Sequence, residues 1–374
     1  MTSLEDLPLR SDLRGLTPYG APQLHVPVTL NVNENTHTIP EPVALDIVSS
    51  LAGALLSINR YPDREFSELR DRLAVYLGHG LTRENIWAAN GSNEVLQHVL
   101  QAFGGPGRSL LGFVPTYSMY PILASGTGTR WIAGDRDADF ELSPETAAAW
   151  VTKAQPDIVF LCSPNNPTGT PLSLETIEAV YDASTGIVVV DEAYAEFGAP
   201  GAPTALTLLP GRERLLVSRT MSKAFAFAGA RVGYLAADPA VTDALRLVRL
   251  PYHLSALTQA AANAALAHSA EMLAMVDEIR EQRDRIVTEL TRLGYTPHRS
   301  GSNFVLFGGV ADPRATFEAL LADGVLIRDV GIPGNLRVSA GTEAETGAFL
   351  AALGRLVPPA GPVPASAAEA NKLA

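Results

Sequence analysis

Apolar positions change their spacing along the chain, and the changes divide it. Residues 1–47 carry no sustained period; they are rich in Pro, Asn and Thr and predict an irregular N-terminal arm. From Asp63 to Leu77, the residues Phe66, Leu69, Leu73, Tyr76 and Leu77 fall on one stripe, which predicts an amphipathic helix. From there to about residue 250, short apolar runs alternate with helical stretches. The runs are Leu110–Val114, Ile158–Leu161, Ile187–Val190, Leu215–Ser218 and Val232–Ala236. They lack period-two alternation and are β-branched in places, as strands covered on both faces are. Strand–helix alternation of this kind predicts an α/β fold built on a mostly parallel, doubly wound sheet.

Beyond this region the pattern changes. Residues 256–293 form an Ala-rich helical stretch, followed by strand Asn303–Phe307, helix Pro313–Ala322, strands Val325–Arg328 and Leu336–Ser339, and helix Glu343–Leu356. The last helix opens on Thr342-Glu343-Ala344-Glu345, a capping box. The Pro/Ala-rich residues 358–374 predict a disordered tail. The expected organisation is an arm (1–47) packed with the small domain, a large domain (48–255), a smaller α+β domain with its connecting helix (256–357), and the tail.

Composition narrows the function. A chain of 374 residues can bury a core large enough for two domains. With 18% charged residues, 47% apolar ones and a net charge of -12, it argues against a nucleic-acid partner, which would call for clustered Lys and Arg. The single cysteine, Cys162, rules out an internal disulfide and suits a reducing compartment. It closes an apolar run and reads as a strand residue rather than a nucleophile. No apolar run approaches the roughly 18 residues needed to cross a bilayer, and residues 1–20 are charged, so a cytoplasmic protein without membrane contact is expected. Asn90-Gly91-Ser92 matches the glycosylation pattern by chance. The seven histidines never fall at metal-ligand spacings such as H-E-x-x-H, so no metal site is expected.

Polar residues of catalytic type gather just after the runs, where ligands bind in doubly wound sheets. Lys223 lies past Leu215–Ser218, preceded by the hydroxyls of Thr220 and Ser222 and followed eight residues on by Arg231. An amine does chemistry by losing its proton and attacking a carbonyl, as in a Schiff base with pyridoxal phosphate; the plainer account is a solvated surface pair. Asn90-Gly91-Ser92-Asn93-Glu94 stands before a helix from Val95 to Phe103, where free amides could hold a phosphate or Ser92 could simply cap the helix. Tyr117, after Leu110–Val114, could stack on a flat ring or belong to the core. Ser163-Pro164-Asn165-Asn166-Pro167-Thr168-Gly169 is a rigid turn whose Asn166 can donate to a phenolate. Asp191 ends the run Val188-Val189-Val190, and a buried carboxylate there needs a partner, a pyridinium nitrogen or a structural cation. Arg337, in the otherwise apolar Asn335-Leu336-Arg337-Val338-Ser339, and the nearby Arg328 need anions, either a ligand carboxylate or phosphate or an internal acid.

In this order, glycine-rich loop, aromatic, Asn, Asp, Lys, Arg, Arg, the chain resembles the fold-type I pyridoxal-phosphate aminotransferases. Among them it is most similar to the histidinol-phosphate aminotransferases, through Leu16-Thr17-Pro18-Tyr19, Leu30-Asn31-Val32-Asn33-Glu34-Asn35, Arg60-Tyr61-Pro62-Asp63 and Leu326-Ile327-Arg328-Asp329, a match covering nearly all of residues 14–355. Members usually carry proline after Asn-Glu-Asn; this chain has Thr36, which is expected to loosen the local turn.

The resemblance implies that Lys223 holds pyridoxal 5'-phosphate and then acts as general base. It implies Asp191 at the ring nitrogen, Asn166 and Tyr194 at the ring hydroxyl, and Tyr117 on the ring face. The phosphate falls to Ser92, Asn93, Thr220, Ser222 and Arg231, and to Tyr61 of a neighbouring subunit, hence a homodimer with shared active sites. Tyr19, Asn33, Arg328 and Arg337 are implied for two small-molecule substrates, a phosphorylated amino alcohol and a 2-oxo acid, used in a ping-pong reaction of histidine biosynthesis. An aromatic amino-acid aminotransferase on the same scaffold is the nearest rival, and a decarboxylase of the phosphothreonine type a second. The effector-sensing module of a transcriptional regulator would need an added DNA-binding domain for which the N-terminal arm is too short.

Overall fold

The computed structural model describes residues 6–15, 20 and 23–356. Strand β1 (Val28–Thr29) leads into helix α1 (Glu41–Leu55) and helix α2 (Ser67–Leu77). Then come β2 (Ile86–Ala89), α3 (Ser92–Phe103), β3 (Ser109–Val114), α4 (Met119–Thr127), β4 (Arg130–Asp135), α5 (Pro144–Ala154), β5 (Ile158–Cys162), α6 (Leu174–Ala183), β6 (Ile187–Asp191), β7 (Leu215–Thr220) and β8 (Gly233–Ala236). These strands, β1 apart, make a seven-stranded sheet of order β2-β8-β7-β6-β5-β3-β4. All neighbours are parallel except β8, which runs antiparallel to β2 and β7. The inner strands are buried along nearly their whole length, which is why their sequences lack alternation. Register matters for the site: Cys162, Asp191 and Ser218 stand side by side across β5, β6 and β7, at the carboxyl ends of all three.

After α7 (Pro239–Val248), two helices, α8 (Ala256–Ala267) and α9 (Ser269–Arg292), lead to β9 (Thr296–Pro297), β10 (Phe304–Gly308), α10 (Pro313–Ala322), β11 (Val325–Leu326), β12 (Leu336–Ser339) and α11 (Glu343–Gly354). Strands β9, β10 and β12 form an antiparallel sheet, while β1 pairs in parallel with β11. That last pair ties the N-terminal segment to the C-terminal part of the chain. The capping box of α11 is present: Thr342 Oγ1 accepts from Glu345 N at 3.3 Å, and Thr342 N donates to Glu345 Oε2 at 2.9 Å.

The structure departs from the sequence reading in several places. Helix α1 begins inside the expected irregular arm; its apolar residues lie on several faces, Val43 and Ile47 buried but Leu45, Val48 and Leu55 exposed, so no single stripe marks it. The helix expected from Asp63 begins at Ser67, because the Asp63 carboxylate accepts from the amides of Glu65 and Ser67 and Phe66 adopts a left-handed backbone. Strands β2 and β4 had no apolar signature long enough to find; β4 is a sheet edge with exposed Arg130 and Asp135. The stretch 256–293 is broken at His268. Strand β11 stops at Leu326, although Arg328 still exchanges both backbone hydrogen bonds with Arg337 at 2.9 Å. The tail at 358–374 lies outside the described residues.

Candidate active site

A cavity of about 320 Å³ opens at the carboxyl ends of β5, β6 and β7. Its walls include Lys223, Asp191, Asn166, Tyr194, Tyr117, Thr220, Ser222, Ser92, Asn93, Arg231, Asn33, Arg328 and Arg337. Residues far apart in sequence thus meet in one place. Tyr61 is not among them: its ring is 80% exposed and stacks on Tyr252, centroids 4.4 Å apart. Tyr19 lies outside the described residues.

Asp191 is 2% exposed. Its Oδ2 accepts from the Tyr120 hydroxyl at 2.8 Å and its Oδ1 from Ser218 Oγ at 2.9 Å. Burial pushes its carboxyl above the ordinary range, and these two hydroxyls oppose the shift. Both of these donors are neutral, so a group carrying a positive nitrogen fits at this carboxylate.

Lys223 follows β7 in a tight turn, and its Nζ donates to the Val32 carbonyl at 3.0 Å. Burial, with a smaller push from the Arg337 and Arg231 guanidiniums, brings its amine down to about 8 against the pull of Glu34. Tyr194 is buried, and its hydroxyl accepts from Asn33 Nδ2 at 3.0 Å and Asn166 Nδ2 at 3.4 Å. Burial raises its phenol. Arg337, 6% exposed, donates through Nη1 to Asn166 Oδ1 at 2.5 Å and through Nη2 to the Asn31 carbonyl at 2.7 Å. It also lies over the Phe304 ring, 5.0 Å from the centroid.

The first residues of α3, Ser92 and Asn93, line the same cavity as Ser222 and Arg231. Helix termini of this kind hold anions. The N-cap is Gly91 at φ 88°, not Ser92, and a Cβ there would fall 2.2 Å from Arg231 Nη2. Glycine is what lets the guanidinium close on the helix end. Arg231 Nη1 donates to Ser222 Oγ at 3.4 Å. Thr220 Oγ1 accepts from the Ser222 amide at 3.1 Å, and its O–H has Ser222 Oγ at 3.0 Å and the Val232 carbonyl at 3.1 Å as acceptors, so the hydroxyl serves the Ser222 turn. A phosphate-bearing flat cofactor with a basic ring nitrogen fits this set: a helix-end anion cradle, a buried carboxylate and the aromatic Tyr117 line one cavity.

Several participants escaped the sequence reading. Tyr120 and Ser218 hold Asp191. Ser339 Oγ accepts from Asn33 N at 3.0 Å, and Asn303 Nδ2 donates to Asn33 O at 3.1 Å, fixing Asn33 in its left-handed backbone of φ 56°. Cys162 is buried in the same wall with its thiol pushed up to about 12, which fits a strand residue rather than a nucleophile. Thr36, expected to loosen its turn, is tied down: Thr342 N donates to its Oγ1 at 3.1 Å. No helix among the described residues is long and apolar enough to cross a membrane.

The profile of the class I and II aminotransferases matches residues 26–353. A histidinol-phosphate aminotransferase of Paenarthrobacter aurescens is 65% identical over 357 residues, covering 95% of this chain and 96% of its own. Another, of Thermobifida fusca, is 55% identical over 352 residues, covering 94% and 96%. Among solved structures, the histidinol-phosphate aminotransferase of Sinorhizobium meliloti in complex with pyridoxal-5'-phosphate superposes with a TM-score of 0.80 at 26% identity, covering 88% of this chain and 90% of that one.

Proposed function

The chain belongs to the class I and II aminotransferases, among the histidinol-phosphate aminotransferases, and we propose from its site how it moves an amino group between L-histidinol phosphate and 2-oxoglutarate. The products are imidazole acetol phosphate and L-glutamate. The observation that carries the reading is the convergence of Lys223, the buried Asp191 and the buried Arg337 on one cavity.

Pyridoxal 5'-phosphate, when bound, supplies the electron sink that makes the substrate α-proton removable. Lys223 holds it covalently. Asp191 faces its ring nitrogen, Asn166 and Tyr194 its ring hydroxyl, and Tyr117 its face. Ser92, Asn93, Ser222 and Arg231 hold its phosphate, with Thr220 setting the Ser222 turn. Lys223 Nζ would be the group that takes the proton from the substrate α-carbon. Burial brings its amine down to about 8, closer to neutral pH than a free lysine, which suits a base. Arg337 binds the carboxylate of glutamate in one half-reaction and the phosphate of histidinol phosphate in the other, with Arg328, Asn33 and Tyr19 beside it. One cation serves because a carboxylate and a phosphate each offer two oxygens to the planar guanidinium fork.

Tyr61 is assigned to the phosphate of a second subunit in a homodimer. Its exposure, with that of Leu56, Leu247 and Leu250, supports an apolar surface covered by another copy. The proposed division is an arm to residue 47, a large cofactor-binding part to 255 and a small part to 357. A cytoplasmic setting accords with the chemistry.

Steady-state kinetics test the reading. Histidinol phosphate should exceed phenylalanine and tyrosine in kcat/KM with 2-oxoglutarate as acceptor; a preference for the aromatic acids would return the substrate assignment to the rival. In the same assay Arg337→Ala should raise KM for glutamate and for histidinol phosphate together, by about 10²-fold, as loss of paired charge-assisted hydrogen bonds implies. A rise for one substrate alone would remove Arg337 from the shared anion site.

A further inference from the structure

Tyr120 is given no contact with cofactor or substrate above, yet it is fully buried and touches Asp191. It stands in the first turn of α4, three residues after Tyr117, with its amide donating to the Tyr117 carbonyl at 3.1 Å. Its ring meets Tyr117 edge-on at 5.5 Å and Phe160 at 5.2 Å, which fixes the direction of the hydroxyl. Ser218 reaches the other carboxylate oxygen from the neighbouring strand, where register sets it opposite Asp191. We propose that Tyr120 and Ser218 are positioning residues that hold Asp191 as an oriented carboxylate, so that the proton shared with the cofactor's ring nitrogen stays on the nitrogen. The proposal rests on the assignment of Asp191 to that nitrogen.

The physical argument concerns where one proton resides. In a buried site an isolated carboxylate takes up a proton to escape its desolvation cost. Two donors, one on each oxygen, stabilise the anion and lower its affinity for the proton. Burial and the Asp191 charge push the Tyr120 phenol well above its ordinary range, so it remains a donor and never competes as an acid. With Asp191 anionic, the ring keeps its positive charge and draws electrons from the substrate carbon. Removing a donor makes Asp191 more basic, shifts the proton toward it and weakens the ring's pull. The same packing couples this carboxylate to Tyr117, the residue assigned to the ring face.

The test uses the purified holoenzyme, pyridoxal phosphate as the probe, and the pH titration of its bound visible absorbance. A less positive ring holds a neighbouring imine proton more tightly, so the midpoint moves up. Tyr120→Phe keeps the ring and its packing but deletes the donor. It should raise the midpoint by about half a pH unit and lower kcat about tenfold with KM little changed. Asp191→Asn should raise the midpoint further. A Tyr120→Phe midpoint equal to that of the unmodified enzyme, with Asp191→Asn shifted, overturns the proposal and leaves the Asp191 assignment standing; it is the result of a merely packing role. If Asp191→Asn also leaves the midpoint in place, the assignment of Asp191 itself fails. Should Tyr120→Phe not fold, Ser218→Ala reads the same quantity from the other oxygen, and an unmoved midpoint there overturns the proposal equally.

Discussion

Lys223→Ala is expected to lower kcat for amino transfer by about 10⁴-fold or more, because it deletes the covalent holder of the cofactor and the base in one step. The side chain reaches the cavity from the turn after β7, and its hydrogen bond goes to the Val32 carbonyl, which accepts but cannot take a proton at working pH. The sequence contains only two other lysines, Lys153 and Lys372. Lys153, in α5, lies over the Trp150 ring at 4.9 Å, outside the cavity wall. Single-turnover measurement with glutamate reads the effect without product release. A variant within tenfold of the unmodified enzyme would mean that the amine at 223 does neither job.

The second large effect is expected at Asp191. Asp191→Asn should lower kcat by about 10³-fold, the scale of losing one preorganised electrostatic partner in a buried site. It should also act on stability in two opposite directions. Without cofactor the carboxylate is a buried charge raised by desolvation, so removing it should raise the melting temperature of the apoenzyme. With cofactor the pair is lost, so the gain in melting temperature on adding pyridoxal phosphate should shrink. Calorimetry of both forms checks this. An apoenzyme destabilised by the substitution would show that the carboxylate serves the fold through Tyr120 and Ser218 rather than a charged ligand.

What the sequence disclosed follows from how the sheet is built. Inner strands β5, β6 and β7 read clearly because both faces are buried, and each apolar run ends in the polar residue that the fold delivers to the cavity: the turn with Asn166, Asp191 itself, the turn with Lys223. Arg337 was legible for the same reason, a cation in an apolar strand. Tyr120 was not, since an aromatic one turn after another reads as core, and its partner Asp191 lies 71 residues away. Ser218 read as the polite end of a strand; only register puts it against the carboxylate. Ser339 and Asn303 hold Asn33 across about 300 and 270 residues, contacts that no local pattern encodes. Strand β4 was hidden because an edge strand sheds the continuous apolar run, and β2 because its buried run is only four residues long. Tyr61 does not line its own chain's cavity; it is exposed and stacks on Tyr252.

The most direct measurement is borohydride reduction of the holoenzyme followed by trypsin digestion and mass mapping. A lysine that carries the cofactor is no longer a cleavage site, so the account predicts the adduct on an uncut peptide spanning Thr220–Arg231, between the flanking arginines. An adduct on Lys153 or Lys372, or no adduct in protein that still transfers amino groups, would contradict it.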